Sequence, residues 1–278
     1  MFMRLGIALL LAAVAAGVLA VTALSRSDGK ARLLLPDIDL LAPSSIQIGV
    51  ARGKDGKRRW LLAFTASAHN VGEGALEIVG RRPNTKTKRM RATQQIYRED
   101  GSIAKNTGAG RLAYVVDPTH QHWHVTPFME YELKRIRTAP GQRLRRVIRR
   151  DEKTGFCLGD RQEFDDDARG GAKPASRVYA HNCGFNKPWM LWMKEGISPG
   201  WVDDYQPFRD GQQIDISTIP AGRYRLVQRV NAEGLLRERT LRNNFSSAVM
   251  DISWPNGRKA RPRLVVLNTC QASPSCKA

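Results

Sequence analysis

The apolar residues of this chain recur mostly with a period of two, and that limits its fold more than any other feature. Arg223-Tyr224-Arg225-Leu226-Val227-Gln228-Arg229-Val230 alternates polar and apolar, as a strand with one wet face requires. Trp60 to Ala66, Ala75 to Val79 and Leu112 to Val116 are compact apolar runs. Asn70-Val71-Gly72-Glu73-Gly74 divides the first two, and Asp117-Pro118 closes the third. Turn signals return roughly every ten residues, and no segment sustains a helical period over three turns. The pattern predicts an all-β fold, an antiparallel β-sandwich with long loops and little helix. Asn231-Ala232-Glu233-Gly234 reads as a hairpin turn, with Leu235 onward as the partner strand. Asp100 to Gly110 and Phe164 to Ser176 read as loops. The second carries Asp165-Asp166-Asp167, a solvated acidic run that lacks the spaced oxygen ligands of a calcium site.

The N-terminus stands apart from this pattern. Arg4 precedes an almost unbroken apolar run from Leu5 to Leu24. At about 20 residues the run can span a bilayer, and Val21-Thr22-Ala23 offers a small-residue cleavage site. Residues 1–32 are therefore expected to be a signal peptide or membrane anchor with a short linker. One β domain is expected over 33–267, and a tail with a local disulfide over 268–278. Positive-inside counting weighs Arg4 against Arg26, Lys30 and Arg32 and favours a cytoplasmic body. The cysteines argue for export instead. An even count of four behind a targeting segment reads as two disulfides. Cys270 and Cys276 enclose a short loop and form the local pair, which leaves Cys157 for Cys183. Cysteine–histidine zinc binding is the weaker alternative, since no CxxC spacing is present. The expected location is extracytoplasmic: secreted, periplasmic or held by one N-terminal segment.

Lys and Arg outnumber Asp and Glu by 45 to 26, a formal charge of +19, which points to polyanionic partners or surroundings. The cations are spread through Arg52 to Arg59, Arg81 to Arg91 and Lys134 to Arg150, so a broad positive surface facing anionic envelope polymers or lipid is expected. No nucleic-acid motif accompanies them. With 42% apolar and 26% charged residues, neither a disordered chain nor a polytopic membrane protein fits.

The strongest local signal is His120-Gln121-His122-Trp123-His124, which holds three of the five histidines at alternate positions. In a strand such residues share one face, and a bend can aim them at one ion. Imidazole suits copper, zinc, iron and nickel alike. The plainer alternative is a row of wet histidines, or one packed on aromatics such as Trp123 and Tyr131.

Asp117-Pro118-Thr119-His120-Gln121-His122-Trp123-His124, with Phe128, Tyr131, Glu132 and Leu133 after it, resembles the copper-binding segment of the lysyl oxidase family. Lys153-Thr154-Gly155-Phe156-Cys157-Leu158 resembles the segment with that family's cofactor lysine. Gly196-Ile197-Ser198-Pro199-Gly200-Trp201-Val202-Asp203-Asp204-Tyr205 resembles the one with its cofactor tyrosine. Gln213 to Ile216 and Pro220 to Asn244 follow in the family's order, and Leu35-Pro36-Asp37 with Asn70 to Glu77 resembles the microbial branch.

The resemblance implies that His120, His122 and His124 hold copper, and that Lys153 and Tyr205 join as lysine tyrosylquinone. It further implies an oxidase that converts primary amines, peptidyl lysine or small amines, to aldehydes with O2, releasing ammonia and hydrogen peroxide. Such a quinone captures the amine as a Schiff base, and a general base removes the α-proton. Asp203 and Asp204, beside Tyr205, are the candidates for that base; two solvated turn carboxylates are the alternative. A bond between Cys157 and Cys183 would tie the lysine segment to the chain ahead of Tyr205. Read without the resemblance, Lys153 is a surface lysine in a charged turn and Tyr205 a half-buried strand-edge aromatic.

Two departures bear on the substrate. Trp201 stands where the animal members have a cysteine, and Phe185 to Met193 is longer and more apolar than expected. The latter reads as an extra hairpin packed on the sandwich, with a lid, a substrate wall or a membrane-touching edge as alternatives. Two other function classes stay open: a non-catalytic copper or zinc module, and a basic envelope-binding protein. Amine-dependent peroxide release separates the oxidase from the first, and salt-sensitive envelope binding marks the second.

Overall fold

The computed structural model describes residues 31–106, 108–116, 121–142, 148–151, 155–164, 172–209 and 211–278, with backbone alone at 105, 148, 150 and 151. The apolar leader, Asp117-Pro118-Thr119, His120, Lys153 and Asp165-Asp166-Asp167 lie outside the described residues.

Every element among the described residues is a strand, and the strands pair antiparallel. One sheet contains β1 (Leu33–Leu34), β5 (Leu76–Arg81), β6 (Arg89–Arg98), β7 (Ile103–Asn106), β8 (Arg111–Tyr114), β9 (Trp123–Thr126) and β13 (Trp192–Ile197). Its order is β13-β5-β6-β8-β9, with β1 and β7 also on β6. A second sheet contains β2 (Ile38–Leu40), β3 (Ser44–Arg52), β4 (Arg58–Asn70), β12 (Gln162–Glu163), β14 (Trp201–Tyr205) and β15 (Gln213–Asp215). It runs β12-β14-β4-β15, with β2 and β3 also on β4. The third is β11-β10-β16-β17-β18, built from β10 (Met129–Arg135), β11 (Ile148–Asp151), β16 (Gly222–Val230), β17 (Phe245–Ser253) and β18 (Arg263–Gln271).

The two kinds of apolar pattern have different causes. β16 buries Tyr224, Leu226, Gln228 and Val230 and turns the intervening residues outward, matching its alternation. Buried Gln228 is tolerated because its amide donates to the Thr65 carbonyl and accepts from Ser246. β4 has no such alternation from Leu62 to Ala66, because strands flank it while side chains cover both its faces. The three sheets enclose one core, with Phe64 set edge-on to Tyr131 at 4.9 Å and Phe156 packed on Phe128 at 5.2 Å.

Three expectations are corrected. Leu235 to Asn244 is not the hairpin partner of β16; that strand is β17, in register from Gly222↔Ile252 to Arg229↔Phe245. Side chains capture the intervening backbone first: Asn231 bonds the Leu236 N–H and carbonyl, and Gln94 bonds those of Arg237. The expected loop at Asp100 to Gly110 contains β7, since Asp100-Gly101 forms a tight turn in which Asp100 accepts the Ser102 N–H and Gly101 takes φ 78°. Phe185 to Leu191 is a run of turns rather than an extra hairpin, and Trp192 and Met193 open β13 on the edge of β5. The Arg82 guanidinium fixes that run by donating to the carbonyls of Met190 and Pro188.

Candidate functional site

Trp123 determines which way the histidines face. Its ring is fully buried, set edge-on to Tyr114 at 5.4 Å, with the Arg82 guanidinium 4.7 Å over its face. Alternation along the backbone then sends His122, in the bend before β9, and His124, within it, to the opposite side. Their Nε2 atoms lie 2.7 Å apart and their ring centroids 4.7 Å apart. That convergence suits a shared ion, since bonds of roughly 2.0–2.1 Å to one metal hold two ligand nitrogens about 3 Å apart. Copper and zinc both fit this donor set. Among the described residues no three His, Cys, Asp or Glu side chains converge on one point, and His120 is outside them.

The segment from Gly155 to Asp160 crosses from β9 to β14. Phe156 exchanges backbone hydrogen bonds with Val125, at 2.8 and 3.1 Å, beside His124. Gly155 allows this approach, because a Cβ there would sit 2.9 Å from the His124 Cβ. Asp160 pins the far end by accepting the Val178 and Tyr179 N–H groups and both the N–H and hydroxyl of Ser198. Cys157 is bonded to Cys183, whose carbonyl accepts the Trp123 N–H at 2.9 Å, so the disulfide joins this segment to the histidine strand. Cys270 is bonded to Cys276.

Tyr205 reaches the same segment from the other sheet. Its hydroxyl accepts the Cys157 N–H at 2.6 Å and donates to the Cys157 carbonyl at 3.2 Å. Its ring packs on Phe156 at 4.3 Å. Burial, then the charge of Asp203, pushes the phenol well above its ordinary range. His122, Cys157, Tyr205, Asp204, Arg161 and Phe185 share the lining of one cleft of about 580 Å³. Phe185 lies 6.5 Å from His122, so the turn-rich run contributes a wall to this cleft.

Alternation along β14 divides the two aspartates. Asp204 lines the cleft, with Ser67 Oγ donating to Oδ1 at 2.7 Å and Gln206 Nε2 donating to Oδ2. Asp203 faces inward beside Tyr205; its side chain is 0% exposed and lies 3.7 Å from the Arg161 guanidinium. Lys153 and His120 lie outside the described residues.

Sequence reading missed Arg161 and Glu195. Arg161 donates to the Cys157 carbonyl at 3.4 Å and lies 3.0 Å from its sulfur. Glu195 is wholly buried; Oε2 accepts the Leu158 N–H at 3.1 Å, while Oε1 meets no donor among the described residues. Burial, with Asp203 nearby, pushes its carboxyl well above the ordinary 4.5. The one clue in the sequence was a charged residue, Glu195, directly ahead of the Gly196 segment.

Residues 81–256 match the family model described as lysyl oxidase. No curated protein matches the chain.

Proposed function

Because the chain belongs to the lysyl oxidase family, we propose that it is a copper-dependent, quinone-cofactor amine oxidase that deaminates primary amines. The observation that carries this reading is that His122 and Tyr205 line one cleft, beside a second histidine whose Nε2 is 2.7 Å from that of His122. His120, His122 and His124 would hold the copper and Lys153 and Tyr205 would form the cofactor, which together would supply an electron sink for amine oxidation with O2 as acceptor. The net products are an aldehyde, ammonia and hydrogen peroxide.

The remaining work falls to the chain's own groups. Asp204 is the substrate-facing carboxylate, with Ser67 and Gln206 fixing its two oxygens. It is placed to pair with a substrate ammonium and to accept a proton from the substrate's α-carbon. Asp203, shielded from the cleft, acts on Tyr205 and Arg161 and not on substrate. Phe185 forms one apolar wall of the cleft. Peptidyl lysine and small amines both meet these requirements, and two disulfides support an extracytoplasmic location.

The test is chemical. Protein produced with copper and exposed to air should bind the metal stoichiometrically, give a coloured phenylhydrazine adduct, and yield one tryptic product joining the Lys153 and Tyr205 peptides. His122→Ala should lose the metal, and Lys153→Ala and Tyr205→Phe should lose the joined product and amine-dependent peroxide. Copper-loaded wild type showing no adduct, no joined peptide and no peroxide would leave a non-catalytic metal module.

A further inference from the structure

A second cleft, of about 760 Å³, shares no lining residue with the histidine cleft. It forms where the β3–β4 hairpin meets the turn after β17, bringing Arg52, Lys57 and Arg58 together with Arg258 and Lys259. All five cations are exposed, and no carboxylate joins them in the lining. The neighbouring acids are engaged elsewhere: Asp55 and Asp215 both pair with Arg59, at 2.8 and 3.9 Å. Among the described residues none of the five is in an ion pair. Like charges gathered in a concave site repel one another and focus a positive field outward.

We propose that this groove binds a linear, phosphate-bearing polymer. The guanidiniums of Arg58 and Arg258 lie over Trp60 and Trp254, at 5.8 and 5.1 Å from the ring centroids. These contacts steady the two guanidiniums. Arg258 also donates through Nη1 to the Ser217 and Ile219 carbonyls, which leaves its Nε and Nη2 N–H groups and the Arg58 fork for an oxyanion, a match to phosphate that a lone ammonium lacks. Trp60 is half-buried against the core, so it is not a free ring on which a nucleobase could stack. The concave shape admits a chain, whereas a flat bilayer cannot follow it. β4 carries Trp60 near one end and Ala66, the register partner of Tyr205, six residues on. At about 3.3 Å per residue the groove therefore lies roughly 20 Å from the amine-oxidising cleft, measured along one strand. The inference does not depend on that chemistry.

Long-chain inorganic polyphosphate is the probe, titrated against the full chain at several salt concentrations. Binding should weaken steeply with salt, and tripolyphosphate should bind at least about tenfold more weakly, because it reaches fewer cations at once. Replacing Arg52, Lys57 and Lys259 together with Ala should cost about tenfold or more in affinity and flatten the salt slope. Replacing Lys86, Lys88 and Arg89 with Ala removes the same charge elsewhere and should cost under about twofold. Unchanged melting temperatures would show that both triple variants remain folded. Equal losses in the two variants would overturn the groove in favour of diffuse charge. Equal binding of polyglutamate would overturn the preference for phosphate, and tighter groove-dependent binding to phosphatidylglycerol vesicles would replace the polymer with a membrane surface.

Discussion

Tyr205 holds both backbone groups of Cys157 through one hydroxyl, accepting the N–H at 2.6 Å and donating to the carbonyl at 3.2 Å. Tyr205→Phe removes both contacts and strands a buried donor, which should cost about 2 kcal/mol. Urea unfolding of the metal-free protein measures this directly. Copper uptake should survive the change, since the histidines belong to another sheet; loss of uptake would mean that the phenol helps build the metal site.

Gly155 tests the packing behind His124. A Cβ at that position meets the His124 Cβ at 2.9 Å and its Nδ1 at 3.0 Å. Gly155→Ala should shift the imidazole and lower copper affinity about tenfold or more, a range like that seen when the groups orienting a metal ligand are lost. Competition with a chromophoric chelator gives the number, and unaltered affinity would show that His124 is not a ligand.

The two disulfides should differ in their effect. Cys157 and Cys183 are 26 residues apart, Cys270 and Cys276 only 6. Loop-closure entropy assigns the first about 3.5 kcal/mol and the second about 2 kcal/mol. Paired Cys→Ser substitutions compared by chemical denaturation should reproduce that order. The first pair should also weaken copper binding, because Cys183 holds the Trp123 N–H.

Glu195 should make stability fall with rising pH. Its folded carboxyl titrates well above the ordinary 4.5, through burial and then the proximity of Asp203. The folded chain therefore holds a proton that the unfolded chain has released. That contribution is complete below about pH 4.5 and is lost as the pH rises through the folded value. Glu195→Gln keeps an oxygen for the Leu158 N–H and cannot ionise. Between pH 5 and 8 the variant should lose less stability than wild type, read as the urea midpoint at each pH. Parallel profiles would show that Glu195 is ionised throughout.

The legibility of this chain depended on how far each signal reaches along it. Alternation in β16 and the apolar run of β4 were readable because burial of one or both faces is written residue by residue. The i, i+2 spacing of His122 and His124 was readable for the same reason: a strand sends both to one side of Trp123. Leu235 to Asn244 misled because its backbone is captured by Asn231 and by Gln94, and Gln94 lies more than a hundred residues away.

Local pattern, composition and motif order were enough to establish an all-β chain, its four paired cysteines and the residue types that identify the lysyl oxidase family. Folding alone turns Asp204 to the cleft and its neighbour Asp203 to the core, and brings Glu195 and Arg161 close enough to act on the Tyr205 phenol. It likewise gathered Arg52 and Lys259 into one groove from opposite ends of the chain. Strand register and sheet packing set those relationships, and they arise from contacts between residues that no local sequence pattern brings together.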